Sequence, residues 1–305
     1  MRSELEVEGK KLAVSNLDKV LYPKAGFTKH NVIEYFIHIA PFLLPHLKNR
    51  ALTLKRYPNG VAGDFFYEKK CPSHRPTWVK TAPIWSEHNK SDISFCLAND
   101  LPTLVWAANL ANLELHTSLS KSKTPLKPDF LVFDLDPGPP ADIVKCCEVG
   151  LELKKLFDGL GLKSFPKTSG SKGLQVYIPL NTPTTYELTK FFANEVAIFL
   201  EKKMPEKVVS KMKKSLRTGK VFVDWSQNDN HKTTVCVYSL RAKDQPTAST
   251  PVTWEEVRKA LKSLDPHMLV FHCHDTLARA QKMGDLFAPV LTLKQKLPPK
   301  LYIVE

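Results

Sequence analysis

The stretch Phe130-Leu131-Val132-Phe133-Asp134-Leu135-Asp136-Pro137 limits the folds open to this chain more than any other. Four apolar residues lead into two aspartates at i and i+2, and Pro137-Gly138-Pro139-Pro140 ends what precedes it, so the stretch reads as a strand that terminates in acid. Side chains alternate along a strand, which puts Asp134 and Asp136 on one face and turns Leu135 into the core. At about 5 to 7 Å and an effective dielectric of about 20, two such carboxylates repel by roughly 2 to 4 kcal/mol. A hard divalent cation bound by carboxylate oxygens relieves that repulsion, and paired metals held this way clamp the attacking and leaving oxygens of phosphoryl transfer. The same pair is also compatible with solvated residues at a frayed strand end, or with one of them capping the following turn.

Charge narrows the partner. The 305 residues carry a net charge of +13, and a polyanion gains affinity for such a surface by releasing counterions, so nucleic acid is the leading class. An anionic membrane surface is the competitor, but no stretch combines a basic helical face with exposed Trp or Phe. With 43% hydrophobic residues the chain can bury a sizeable core, as one large domain or two ordinary ones. The longest apolar segment, Tyr35 to Leu47, is broken by His38, Pro41, Pro45 and His46 and is too short to span a bilayer. The first residues lack the apolar run of a secretory signal, so a soluble cytoplasmic protein is expected. The six cysteines show no C-x-x-C pairing, as expected of reduced thiols. Cys71-Pro72-Ser73-His74 and His272-Cys273-His274 lack the paired spacing of a structural zinc site.

In chain order, Leu5 to Val14 reads as a hairpin turning at Glu8-Gly9. Thr28 caps a helix with the stripe Val32, Ile33, Phe36, Ile39 and Ala40, until Pro41 and Pro45 break it. Ala51 to Tyr57 reads as a strand carrying Lys55 and Arg56, and Pro58-Asn59-Gly60 returns the chain to Phe65-Phe66-Tyr67-Glu68-Lys69-Lys70. Aromatics interleaved with cations suit base stacking beside a phosphate track, or equally a core hairpin with solvated lysines. Ile93 to Leu97 is a strand, Asn99 or Asp100 caps the next helix, and Asp142 caps the helix that ends at Gly159 to Gly161. Between Lys167 and Pro179, a loop with two glycines, three hydroxyls and two lysines is set between strands. It reads as a phosphate cradle or as a flexible hairpin, and it lacks the Walker spacing.

Tyr186 to Leu200 is a helix with Leu188, Phe191, Phe192, Glu195, Val196 and Phe199 at helical spacing, most of which should be core. Eight basic residues fall between Lys202 and Lys220, where Val208, Val209, Met212 and Leu216 keep a helical stripe and leave the lysines on a solvated outer face. Val221-Phe222-Val223-Asp224 repeats the strand ending in acid and supplies a third carboxylate. Thr233 to Tyr238 reads as its return strand, which would set Arg241 beside the carboxylates for bidentate phosphate contact. Thr253-x-x-Glu256 is a capping box, and Leu293 to Glu305 a basic tail.

Seven motifs together resemble the primase-polymerase domain of the DNA ligase D family, a branch of the archaeo-eukaryotic primases. They are N-L-D-K-V-L-Y-P from Asn16, L-K-R-Y-P-N-G-V from Leu54, E-L-H from Glu114, F-D-L-D-P from Phe133, T-S-G-S-K-G-L from Thr168, V-D-W-S-Q-N from Val223 and Y-S-L-R-A from Tyr238. The resemblance implies an α+β (mixed α/β) fold, a catalytic core of largely antiparallel sheets flanked by helices. It implies one domain over 1–305, divisible into an end-binding part (1–125) and a catalytic part (126–305). It further implies a template-directed nucleotidyltransferase that adds nucleotides, preferentially ribonucleotides, to 3′-OH ends at gaps and breaks in end joining.

Asp134, Asp136 and Asp224 match the residues that hold two divalent ions, Mn²⁺ or Mg²⁺, and His116 matches a histidine near the reacting centre. Ser169, Lys172, Gln227 and Arg241 match contacts to the triphosphate, and Gln175 stands where many relatives have histidine, so it brings no charge near neutral pH. Lys55, Phe66 and Tyr67 match positions that meet bases, and Lys19 and Lys29 match lysines that grip a downstream 5′-phosphate. The implied partners are 5′-phosphorylated DNA, nucleoside triphosphates and separate ligase and Ku proteins, in a nucleoid-associated setting and with no membrane. The competing readings are a non-catalytic end-binding module and a primase that starts chains de novo.

Overall fold

The computed structural model describes residues 2–298, and the chain divides into two compact units. The first comprises Met1–Lys123, Thr233–Ser249 and Phe271–Asp285, and the second Thr124–Lys232, Thr250–Val270 and Leu286–Glu305. Both are mixed α/β, with largely antiparallel sheets flanked by helices. Among the described residues no helix is long and apolar enough to cross a membrane.

In the first unit, the N-terminal hairpin pairs Arg2–Val7 with Lys10–Ser15, and Glu8 and Gly9 both take positive φ at its turn. The main sheet orders Thr234–Val235, Asn112–Thr117, Leu52–Arg56, Ser91–Cys96 and Thr81–Ser86, with Phe66–Glu68 added to Leu52–Arg56. Leu52, Leu54, Leu113 and Leu115 are buried in its core. The helix capped by Thr28 does not stop at its prolines but runs from Lys29 to Leu47. Each interior proline costs about 3 kcal/mol through its lost amide bond. That cost is offset because the apolar stripe continues through Leu43 and Leu47, both buried, and because His46 reaches Asp285 at 2.8 Å.

The cysteine expectation is also corrected, since Cys71 and Cys96 form a disulfide. The Cys71 amide donates to the Ser94 carbonyl (2.7 Å), which lays the loop along the Ser91–Cys96 strand and brings the two Cα atoms to 4.9 Å, a bridging distance that sequence spacing does not reveal. Cys146, Cys147, Cys236 and Cys273 are buried and form no disulfide. The Thr234–Val235 strand pairs with Asn112–Thr117 (Val235 opposite His116) and not, as expected, with the strand carrying Asp224.

In the second unit a five-stranded sheet runs Phe165–Thr168, Leu174–Pro179, Phe130–Pro137, Val221–Asp224, Val208–Val209, antiparallel except for the last pair. Leu131, Phe133 and Leu135 are fully buried, with the Phe133 ring tilted against Phe157 of the helix Ile143–Gly159, whose first turn Asp142 caps. The Tyr186–Lys203 helix buries Phe192 and Val196 but leaves Leu188 and Phe191 exposed, contrary to the expected core stripe. The helical reading of the basic run fails as well. After Met204 and Pro205, Val208–Val209 takes the edge of the sheet parallel to Val221–Phe222, and only the short turn Lys214–Leu216 is helical. Backbone pairing at an open sheet edge outweighs a stripe of apolar residues too weak to be buried, and Met212 and Leu216 are exposed. Of the basic tail, the described part packs, with Gln295 bonded to Lys163, Pro179 and Leu180; the rest lies outside the described residues.

Candidate active site

The register of the second unit's sheet assembles one row of side chains across four strands. Lys167 lies opposite Gln175, Gln175 opposite Asp134, and Asp134 opposite Asp224. Asp136 joins Asp134 on the same face by strand alternation. At the basic end Lys167 is fully buried, and its Nζ donates to Gln175 Oε1 at 2.5 Å. An ammonium has no acceptor, so the Gln175 oxygen must face Lys167, and the amide hydrogen-bonds Asp134 on its other side. At the acidic end, Asp224 accepts from the Ser226 amide (3.0 Å) and hydroxyl (2.6 Å) and from Gln227 Nε2 (2.9 Å). Asn228 then ties this turn to the acidic strand through both the amide and the carbonyl of Val132.

Asp134 bears the strain of the row. Its Oδ1 is closed off from solvent and has no hydrogen-bond partner. Burial first, then the charges of Asp136 and Asp224, push its pKa up to about 7, against the pull of Gln175 and Lys167. Among the described residues no three His, Cys, Asp or Glu groups are drawn together as a ready-made metal cluster. Three carboxylates on neighbouring strands, one with an unsatisfied buried oxygen, nevertheless fit a cation that completes the site when it binds.

The Ser-Gly-Lys loop closes on its own serine. The Ser169 hydroxyl accepts from the amides of Ser171 (3.2 Å) and Gly173 (3.1 Å), and Lys172 is exposed. A Cβ at Gly173 would lie 2.1 Å from the carbonyl oxygen of Leu135, the residue between the two aspartates.

A second cluster lies within the first unit, centred on Glu114, which sequence reasoning did not single out. Glu114 is buried, and its carboxylate accepts from His116 Nε2 (2.9 Å) and the Ala242 amide (3.1 Å) and pairs with Lys55 Nζ and Arg241 Nε, both at 3.4 Å. Burial alone would raise its pKa, but the His116 hydrogen bond, Arg241 and Lys55 outweigh burial and hold it well below the carboxylate range. Burial lowers the pKa of His116, and Glu114 opposes the shift. Lys55 Nζ also lies over the Phe65 ring at 4.3 Å, while Tyr67 meets His116 edge to face at 5.8 Å. Phe65, Phe66 and Tyr67 are each about half exposed, so they do not form a core hairpin and their rings lie open to solvent next to a cation.

A third group, also in the first unit, pairs two lysines. The Lys29 amide donates to the Lys19 carbonyl (2.9 Å), so the two residues are neighbours. Lys29 is buried with its ammonium on the Ser15 carbonyl (2.6 Å), and burial, then Lys19 and Arg56, bring its pKa down to about 8.

The comparisons identify the family. A family model described as "LigD, primase-polymerase domain" matches residues 28–287. The chain belongs to this family. A Mycolicibacterium smegmatis relative, described as a multifunctional non-homologous end joining protein LigD, is 39% identical over 92% of this chain and 36% of its own length. The bifunctional LigD of Bacillus subtilis is 35% identical over 82% of this chain and 40% of the relative. This chain therefore spans well under half of these LigD proteins. A solved polymerase domain of Mycobacterium tuberculosis ligase D, in complex with DNA, superposes with a TM-score of 0.85 at 35% identity, covering 93% of this chain and 99% of that one.

Within this LigD primase-polymerase chain, Asp134, Asp136, Asp224, Ser169, Lys172, Gln175 and Gln227 all belong to the second unit's sheet and its loops, while His116, Lys55, Arg241, Phe66, Tyr67, Lys19 and Lys29 belong to the first. Two site residues escaped sequence reasoning. Glu114 shares a strand face with His116 by i, i+2 spacing, which is a usable signal. Lys167 was legible only as one of the loop's two lysines, and its place in the buried row carried no signal, because a lysine is rarely fully buried and its partner lies on another strand.

Proposed function

We propose that this chain is a template-directed nucleotidyltransferase of the LigD type, adding nucleotides, preferentially ribonucleotides, to 3′-OH ends at gaps and double-strand breaks in non-homologous end joining. The observation that carries the proposal is the carboxylate row, in which Asp134 faces Asp224 with a buried oxygen left without a partner. Two divalent ions, Mn²⁺ or Mg²⁺, would be held by Asp134, Asp136 and Asp224 and would supply activation of the 3′-OH and neutralisation of triphosphate charge. Ser226 and Gln227 orient Asp224, and Gln175, itself held by Lys167, orients Asp134. Ser169, Lys172, Gln175 and Gln227 are the residues expected to take the triphosphate, with Arg241 adding a bidentate contact that offsets charge on the departing pyrophosphate. His116 and Lys55 are likewise assigned to the nucleotide, and Phe66 and Tyr67 to stacking on bases. These 305 residues are read as one catalytic domain that works together with ligase and Ku functions.

The test is extension of a primer on gapped, 5′-phosphorylated DNA with rNTPs and dNTPs, in Mn²⁺ and in Mg²⁺. Incorporation is expected, with rNTPs preferred, and Asp224→Asn should lose about 10³-fold of it. DNA binding indifferent to Mn²⁺ with no incorporation would favour a non-catalytic end-binding module. Dinucleotide synthesis on unprimed single strands would favour a primase.

Lys19 and Lys29 are assigned to the 5′-phosphate, and the lowered pKa of Lys29 gives that assignment a pH signature. Lys29 is a cation below about 8 and neutral above it, whereas an ordinary lysine keeps its charge to about 10. A bound phosphate favours the ammonium and moves the midpoint up, so binding above pH 8 draws in a proton. The preference for a 5′-phosphorylated over a 5′-hydroxyl gap, read by fluorescence anisotropy, should fall about tenfold between pH 7.5 and 9.5. A ratio that stays constant over that range would remove Lys29 from the phosphate site.

A further inference from the structure

Three groups assigned here to the nucleotide, Lys55, His116 and Arg241, converge on one buried carboxylate, and that carboxylate has no role in the reading above. An ionised side chain this deep is a poor stabiliser, since well-packed apolar residues usually replace buried ion pairs at no loss. What it does define is direction. Glu114 is held ionised by its neighbours, and an ionised carboxylate only accepts, so the His116 Nε2 atom 2.9 Å away must carry the proton. The neutral ring is then the Nε2–H tautomer, and Nδ1 is its one acceptor. The same carboxylate sets Lys55 and Arg241 3.4 Å from its two oxygens and takes the Ala242 amide, which anchors the segment that carries Arg241. With two fixed cations on one anion, the cluster keeps a net positive charge at neutral pH and suits a polyanionic ligand.

We propose that Glu114 is a positioning residue that fixes His116 as the Nε2–H tautomer, leaving Nδ1 as the ring's acceptor for a substrate hydroxyl, and that presents Lys55 and Arg241 to a nucleoside triphosphate as a preset pair. The proposal rests on the nucleotide-facing reading of those three residues. Among the described residues, the charged and titratable groups at His116 are Glu114 on its own strand, Lys55 from the adjacent strand, Tyr67 edge-on to the ring and Arg241 from the segment after Val235, while Tyr57, at the end of the Lys55 strand, hydrogen-bonds Glu114 itself. Replacing Glu114 with glutamine keeps the shape, removes the charge that opposes burial at His116, and substitutes an amide that can either donate to or accept from the ring.

The test begins with ¹⁵N-edited NMR of the histidine ring in wild-type protein without metal or nucleotide. His116 should show the Nε2–H pattern at pH 7.5, and a Nδ1–H pattern would overturn the proposal without any variant. In Glu114→Gln the two tautomers should mix and the His116 midpoint should fall by at least tenfold in proton affinity, while thermal melting stays close to wild type. A folded Glu114→Gln protein with an unchanged His116 titration and tautomer would equally overturn it. With gapped DNA and rNTPs, the variant should raise KM for the nucleotide about tenfold with a smaller change in kcat, and Glu114→Asp should recover part of the loss. If wild type shows the Nε2–H pattern but incorporates no nucleotide, the proposed function fails while the positioning of His116 stands. A variant with unchanged KM would show that Glu114 does not present Lys55 and Arg241.

Discussion

Asp134→Asn should abolish nucleotide addition and at the same time make the metal-free protein more stable. The isosteric amide removes a carboxylate oxygen that finds no partner in the fold and ends its repulsion with Asp136 and Asp224. The folded-state pKa of Asp134, about 7, lies above the ordinary value of 3.8, so the folded protein binds more protons than the unfolded chain between these two values. Stability of the metal-free wild type therefore falls as pH rises through about 4 to 7, and the deficit is complete above that window. The expected deficit is ~2–4 kcal/mol at pH 8, absent near pH 4, and the asparagine variant should lack it. Thermal melts of both proteins at pH 5 and pH 8, without divalent ions, should show the curves diverge as pH rises. Adding Mn²⁺ should then restore the wild type by binding the folded state alone, and leave the variant nearly unmoved. Activity in the variant should drop about 10³-fold or more. A variant that incorporates like wild type, or melts lower at pH 8, would remove Asp134 from the metal site.

The second large effect is expected at Gly173, which no catalytic role marks. A methyl group there would sit 2.1 Å from the Leu135 carbonyl oxygen and 3.2 Å from its carbon, both backbone atoms of the acidic strand. Leu135 lies between Asp134 and Asp136, and Gly173 is bonded in both directions to Ser169, so neither partner can yield without moving a functional side chain. Gly173→Ala should cost ~3 kcal/mol or more in urea unfolding, and the folded fraction should lose about 10²-fold in nucleotide addition through misplaced carboxylates. Gly159 is the control. It closes the Ile143–Gly159 helix, and a methyl group there would meet nothing within 4 Å, so Gly159→Ala should leave activity unchanged and stability equal or slightly higher. Equal stability for Gly173→Ala and Gly159→Ala would show that the loop does not depend on this close approach.

Local features were legible because their physics is local. The Glu8-Gly9 turn, the caps at Thr28, Asp100, Asp142 and Thr253, and the two strands ending in aspartate all stand where backbone geometry and short-range hydrogen bonds place them. The misplaced features all depended on a partner distant in sequence. Pro41 and Pro45 stay helical because buried residues on either side hold the helix together, and the Val208–Val209 segment leaves its helical pattern because a sheet edge accepts its backbone.

By itself, then, the sequence determined the chemistry available here: alternation put Asp134 and Asp136 on one face, and residue type made the chain basic, acid-tipped and furnished with aromatics beside cations. Only the tertiary structure decided which charges meet. Strand register, set by the packing of whole sheets, placed Asp134 against Asp224 with Gln175 and Lys167 behind it, paired Thr234–Val235 with the His116 strand, and brought Cys71 to Cys96. Burial then gave those contacts their force, because the charges enclosed with a carboxylate hold Glu114 ionised and hold Asp134 back from ionising, and enclosure is a property of the folded chain alone.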